Sequence, residues 1–287
     1  MISSNIIFAQ DKTEEKEKKE KSNKNLPIEP GRFYDLNTDT GSWMSLDVSP
    51  DGQTIVFDLL GDIYSIPISG GKAKRITKGM AFDSHPKYSP NGESIVYVSD
   101  KSGGNNVWIR DLNSNDSIQI TKEKDNQTAF ADWSKDGDYL IVSKGRINLK
   151  LHMYHKDGGN GVKLIDKPSS LKIVQPAVGI NDRYIWYANR TNSWQYNAGL
   201  PQYQISKYDR ETGDIKRETS RFGSAFTPTL SPDGKSLVYG TRYEDKTALR
   251  IRNLETGYEK WLAFPVQKDD QESLSLIHIS EPTRLLA

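Results

Sequence analysis

The 287-residue chain has no cysteine, which excludes disulfides and every metal site built on thiolates. Histidine is nearly as scarce, with four in all. No run of about 18 apolar residues occurs, so no segment reads as a membrane-spanning helix. An excess of one charge is missing too. The 39 Lys and Arg against 38 Asp and Glu leave a net charge of +1, which gives no case for nucleic acid or anionic lipid as a partner. Basic residues are scattered among acidic ones, the pattern of a solvated surface. The repeat region holds no helical period over three turns. Gly-x-Ser-x-Gly elbows, phosphate loops and dinucleotide fingerprints are absent as well.

What the chain does have is a recurring turn. Ser49-Pro50-Asp51-Gly52 returns as Ser89-Pro90-Asn91-Gly92, as Ser134-Lys135-Asp136-Gly137 and as Ser231-Pro232-Asp233-Gly234. A worn copy, Gly179-Ile180-Asn181-Asp182, fills the gap between the last two. The starts lie 40, 45, 45 and 52 residues apart, in the range of propeller blades. Pro presets φ, Asp or Asn tolerates a left-handed backbone, and Gly takes positive φ without a Cβ clash.

Each turn is followed by a β-branched or aromatic triplet such as Ile55-Val56-Phe57, Ile95-Val96-Tyr97 or Leu237-Val238-Tyr239. These triplets suit buried strands. A second strand follows, as in Asp62–Ile66 or Asn106–Ile109. Then comes a turn (Gly70-Gly71, Asn113–Asp116, Gly158-Gly159, Gly213 or Gly257) and a closing strand such as Lys74-Arg75-Ile76-Thr77 or Ile118-Gln119-Ile120-Thr121. With the strand that leads into the turn, each repeat supplies four. The pattern predicts an all-β protein: a β-propeller of four-stranded antiparallel blades, about five of them, in an incomplete ring. The propeller is placed at 33–273, with blades near 43–79, 80–122, 127–167, 172–220 and 224–266. Phe33-Tyr34-Asp35-Leu36 reads as a closing strand whose partners lie in sequence beyond this chain.

The two ends depart from the repeat. Residues 1–10, ending Ile6-Ile7-Phe8-Ala9-Gln10, read as the remnant of a secretory signal, which places the protein in the periplasm or outside the cell. Residues 11–32, with the Lys/Glu tract Lys12–Lys21, read as a charged disordered linker. Residues 274–284 match a translated sequencing adapter, so 274–287 read as an artefact and the natural protein as longer.

The succession of Ser-Pro-Asp-Gly, Ile-Val-Phe, Asp-Ile-Tyr, Gly-Gly and Arg-Ile-Thr resembles the TolB-type, WD-repeat-like propeller. The narrower run Trp43–Gly52, continuing Thr54–Tyr64 with Phe57-Asp58-Leu59-Leu60-Gly61-Asp62, looks like the first blade of exported amidohydrolases. These carry such a propeller ahead of a metal-dependent hydrolase domain. Arg75–Asp83, Pro86–Pro90 and Tyr208–Gly213 fit the same resemblance. It implies a non-catalytic accessory domain that gates substrate or binds a protein. Its partner would be its own hydrolase domain or a periplasmic protein or peptide, and a zinc-type divalent metal would sit only in that hydrolase domain. Two alternatives stay open: a stand-alone TolB-like binding module, and the front propeller of a tricorn-like or prolyl-oligopeptidase-like peptidase.

The residues themselves offer no catalytic, cofactor or metal site. An amidohydrolase centre needs a His-x-His pair, and none exists. His152 and His155 fall on opposite faces of a strand and read as solvent-facing. His85 precedes Pro86 near the central channel and reads as a structural or surface histidine, and His278 belongs to the adapter-like tail. Trp194, Tyr196 and Tyr203 mark a long insertion in the fourth blade and are expected to pack over the blade edge.

Overall fold

The computed structural model describes residues 37–41, 44–124, 127–190, 202–243 and 246–263. Packing divides the chain into two units, Met1–Asp39 and Thr40–Ala287. The first is described only at 37–39, and the second holds every strand named below. The signal-like and Lys/Glu segments, Phe33–Leu36, Trp43, Trp194, Tyr196 and the adapter-like tail lie outside the described residues.

Five antiparallel sheets of four strands follow one another along the chain. The first contains β1 (Leu46–Val48), β2 (Thr54–Leu59), β3 (Asp62–Pro67) and β4 (Lys74–Arg75). The second contains β5 (Asp83–Tyr88), β6 (Ser94–Ser99), β7 (Asn106–Asp111) and β8 (Ser117–Gln119). The third contains β9 (Gln127–Trp133), β10 (Tyr139–Gly145), β11 (Lys150–His155) and β12 (Gly158–Ile165). The fourth contains β13 (Lys172–Val178), β14 (Tyr184–Arg190), β15 (Gln204–Asp209) and β16 (Ile215–Arg217). The fifth contains β17 (Phe226–Leu230), β18 (Ser236–Tyr243), β19 (Lys246–Asn253) and β20 (Glu259–Ala263). The described residues include no helix. In every sheet the strands pair in chain order, so the chain meanders outward and then steps to the next blade.

The apolar triplets after each turn become the second strands, and they are buried because blades stack face to face. The core is therefore a series of slabs between blades. Val56 and Ile63 of blade 1 meet Ile95 and Tyr97 of blade 2. Val96 and Val107 meet Trp133, Leu140 and Tyr154 of blade 3. Ile141 and Leu151 meet Ile173, Ile185 and Tyr187 of blade 4. Trp186 and Ile205 meet Leu237 and Tyr239 of blade 5. Each fully buried side chain of this size contributes about 1.5–3 kcal/mol, as an upper estimate.

The first strand of each blade is the sheet edge. β1, β5, β9, β13 and β17 pack in succession and so surround the propeller axis. β1 and β17 are not packed on one another as their neighbours are. Leu46 and Val48 on β1 are 54% and 44% exposed, and among the described residues no blade stacks on that face of blade 1. In blades 2, 4 and 5 the edge strand bulges at one place. There His85, Gln175 and Thr227 take φ of 55°, 53° and 49°, each directly before a proline. Proline has no N–H to give the ladder, and a bulge at an edge strand accommodates it.

Candidate interaction surface

The recurring turn folds by one local circuit. Ser49, Ser89, Ser134 and Ser231 each accept, at Oγ, the backbone N–H five residues on, at 2.8–2.9 Å. Each hydroxyl donates to the side-chain oxygen of Asp51, Asn91, Asp136 or Asp233, at 2.5–2.7 Å. That oxygen in turn accepts the N–H of the residue two further on. Gly52, Gly92, Gly137 and Gly234 close the turn with their N–H on the serine carbonyl, at positive φ. The serine hydroxyl, foremost, and then the amide hold Asp51, Asp136 and Asp233 below the usual carboxylate range. In the worn fourth copy Asp182 takes the glycine position, at φ 58°.

The turns also touch one another. A Cβ on Gly92 would lie 3.4 Å from Pro50, one on Gly137 3.7 Å from Pro90, and one on Gly234 3.0 Å from Ile180. In the remaining step the Lys135 amide donates to Asp182 Oδ1 at 2.7 Å. The second residue of each turn thus meets the fourth residue of the next. Gly52 and Pro232 stand at the two ends of this belt, and a Cβ on Gly52 would meet nothing.

Around the axis, side chains of one blade hold the backbone of the next. Asp47 accepts the Tyr88 N–H at 2.9 Å, and Asp132 accepts that of Val178 at 2.8 Å. Asp58 accepts the His85 N–H at 2.7 Å, and Gln175 Oε1 that of Thr227 at 2.9 Å. Lys87 lies between the two aspartates, 3.1 Å from Asp47. Burial pulls its pKa down, but Asp47 and Asp132 outweigh that and raise it. Burial pushes the Asp132 carboxyl up against the pull of Lys87. These charges are committed to joining blades.

Among the described residues nothing assembles into a nucleophile and base. Ser84 Oγ is 3.1 Å from His85 Nδ1, but Asp58 binds the His85 backbone and does not orient the ring. Burial lowers the pKa of His85, whose ring lies edge-on to Phe130. His152 corrects the sequence expectation: it is buried, at 8% exposure, with Nδ1 3.1 Å from the Lys150 carbonyl. It sits on β11, a middle strand of its blade on which His155 alone is exposed. His155 is exposed beside Asp157, so the two do not converge. Among the described residues no three His, Asp or Glu side chains gather as a metal would require. The described histidines His85, His152 and His155 do not fit a zinc-type hydrolase centre. Grooves open between blades. One lies beside Pro50, Tyr88 and Asn115 (about 450 Å³) and another beside Glu123, Tyr154 and Asn160 (about 290 Å³). Tyr203 is half-buried against Leu149, Val174 and Ala188, and its hydroxyl accepts from Arg190.

Fold and site together define a class: a β-propeller whose polar groups serve turns and blade contacts. The chain belongs to the TolB beta propeller domain family, PD40, which it matches over residues 28–198, more than half its length. It is 26% identical over 102 residues to tricorn protease homolog 1 of Streptomyces coelicolor, covering 35% of this chain and 10% of that protein. It is 27% identical over 116 residues to dipeptidyl-peptidase 5 of Porphyromonas gingivalis, covering 33% and 17%. The chain spans less than half the length of the curated relatives it matches. The solved structure of a putative TolB from Agrobacterium tumefaciens shares the fold, with a TM-score of 0.64 and 17% identity over 77% of this chain and 80% of that one. No helix among the described residues is long and apolar enough to cross a membrane.

Proposed function

We propose that this chain is a non-catalytic propeller serving as the accessory, substrate-gating or protein-binding part of a larger exported hydrolase of the amidohydrolase type. The observation that carries the reading is the commitment of the axial polar groups to blade contacts: Asp47, Asp58, Asp132 and Gln175 all hold backbone of the following blade. A propeller wired this way offers rims and a channel, and the chemistry belongs to another domain. The amidohydrolase type rests on the Trp43–Tyr64 run. Any zinc-type metal belongs to that second domain, and export to the periplasm or medium rests on residues 1–10. Similarity to two peptidases favours a second reading, in which the catalytic domain is a serine peptidase.

Sequencing the source DNA across codon 273 tests both. A frame that runs on into a barrel with His-x-His supports the first reading. A downstream nucleophilic Ser with Asp and His supports the second. A stop after ring closure leaves a stand-alone binding module. The purified chain should show no amide or ester turnover above buffer, and turnover abolished by His85→Ala would refute the non-catalytic role.

A further inference from the structure

Asparagine is followed by glycine at two places, Asn91-Gly92 and Asn160-Gly161. In such a pair the backbone can modify its own side chain. The glycine amide nitrogen, once deprotonated, attacks the asparagine Cγ, and ammonia leaves. Glycine favours the step because no Cβ shields the nitrogen and its backbone turns freely. Water then opens the five-membered imide at either carbonyl, giving aspartate or isoaspartate. In sum an amide and water become a carboxylate and ammonium, with no oxidant, reductant or second protein.

The fold treats the two sites oppositely. Asn91 is the third residue of the second recurring turn, and the groups the reaction needs are occupied. Its Oδ1 accepts the Ser89 hydroxyl at 2.7 Å and the Glu93 N–H at 3.2 Å. Its Nδ2 donates to Glu93 Oε2 at 2.7 Å. The nucleophile itself, the Gly92 N–H, donates to the Ser89 carbonyl at 2.9 Å, which opposes its deprotonation. Swinging Cγ onto that nitrogen breaks the circuit that folds the turn.

Asn160 has none of these restraints. It lies on β12, the outermost strand of blade 3. The ladder pairs Gly158 with His155 and Val162 with Met153, so Gly159, Asn160 and Gly161 have only Tyr154 opposite them and the strand bulges there. Asn160 and Gly161 are exposed, and Gly161 takes φ of 68°. The Asn160 side chain has no hydrogen-bond partner among the described residues. We infer that Asn160 is a self-modifying site, which the chain converts to aspartate and isoaspartate unaided, while the turn keeps Asn91 an amide. Conversion places a new carboxylate in the groove that Asn160 lines with Glu123 and Asp157. At position 91 the same change would only give the residue that the other turns carry, Asp51, Asp136 and Asp233.

The test keeps the whole folded chain in mildly alkaline buffer made with oxygen-18 water and follows both sites by peptide mass spectrometry over time. The Asn160 peptide should gain the mass of an amide-to-acid change with one heavy oxygen, split between aspartate and isoaspartate. Asn91 should convert about tenfold or more slowly, because its hydrogen bonds must break before the barrier is reached. In concentrated urea the two rates should come together. Glu93→Ala, which releases the Asn91 amide, should speed conversion at position 91 and leave position 160 unchanged. An Asn160 that stays an amide, or an Asn91 that converts as fast in the folded chain, would overturn the inference. A rate difference that persists in urea would assign it to the flanking sequence and overturn the role of the fold.

Discussion

Thr121→Val isolates one hydroxyl that closes a blade. The N–H and C=O of Val107 both point toward β8, where the carbonyl accepts the amides of Ile120 and Thr121. The strand ends there, and the Thr121 hydroxyl supplies the missing acceptor, 2.9 Å from Val107 N. Thr77 does the same for Ile63, and Thr219 for Ile205. Valine keeps the shape of threonine and orphans a buried donor, which costs about 1–3 kcal/mol. Asn106 Oδ1 loses the Thr121 hydroxyl but keeps the Glu123 amide at 2.8 Å, so only one group is stranded. About 2 kcal/mol is therefore expected, or a Tm lowered by about 4–8 °C for a domain of this size. Thr121→Ser keeps the oxygen and loses one methyl, near 0.8 kcal/mol, so it should fall less than half as far. Hydrogen exchange adds a local readout: the Val107 amide should lose protection in the valine variant and keep it in the serine one. If serine proves as damaging as valine, packing holds the site and the hydroxyl argument fails.

Gly234→Ala should cost about 1 kcal/mol more than Gly52→Ala in urea midpoints. Both positions share a left-handed backbone, but only at Gly234 does a Cβ meet Ile180; equal losses would deny the contact between turns. The turn aspartates predict an acid limb. Their folded pKa is depressed, so their contribution is present above the ordinary value of 3.8 and lost as pH falls through the lower folded value. Asp51, Asp136 and Asp233 changed together to Asn should flatten the fall of Tm below that value, and an unchanged limb would sink the assignment.

The turn was legible in the sequence because its circuit closes within six residues, as from Ser134 to Tyr139, with every partner in one reading window. The worn copy was legible for the same reason, since Asp182 is a residue that tolerates the backbone a glycine leaves. The blade triplets were legible because a strand between two apolar slabs must be β-branched or aromatic. The axial contacts were not. Asp47 finds Tyr88 and Asp132 finds Val178 across a full repeat, and nothing local distinguishes these aspartates from surface ones. His152 was misread because alternation gives a face but not which face a neighbouring blade covers.

The departures from the motif are themselves paired, which makes them a test of how blades are joined. The third turn has Lys135 where Pro stands at positions 50, 90 and 232, and the fourth has Asp182 where Gly stands at 52, 92, 137 and 234. These are the two residues that meet. Replacing Pro frees a backbone N–H, and replacing Gly supplies the carboxylate that receives it, 2.7 Å away. An amide-on-carboxylate bond stands at this step where the two preceding steps have a proline-on-glycine contact. The single changes should therefore each destabilise: Lys135→Pro removes the donor and sets a ring against the carboxylate, and Asp182→Gly removes the acceptor. The double variant restores the form used by the neighbouring turns, so its loss should be smaller than the sum. A coupling of about 1 kcal/mol is expected, with the hydrogen bond discounted for its exposure. Urea unfolding of the four proteins measures it, and losses that add within about 0.3–0.5 kcal/mol would show that the two residues are not energetically coupled.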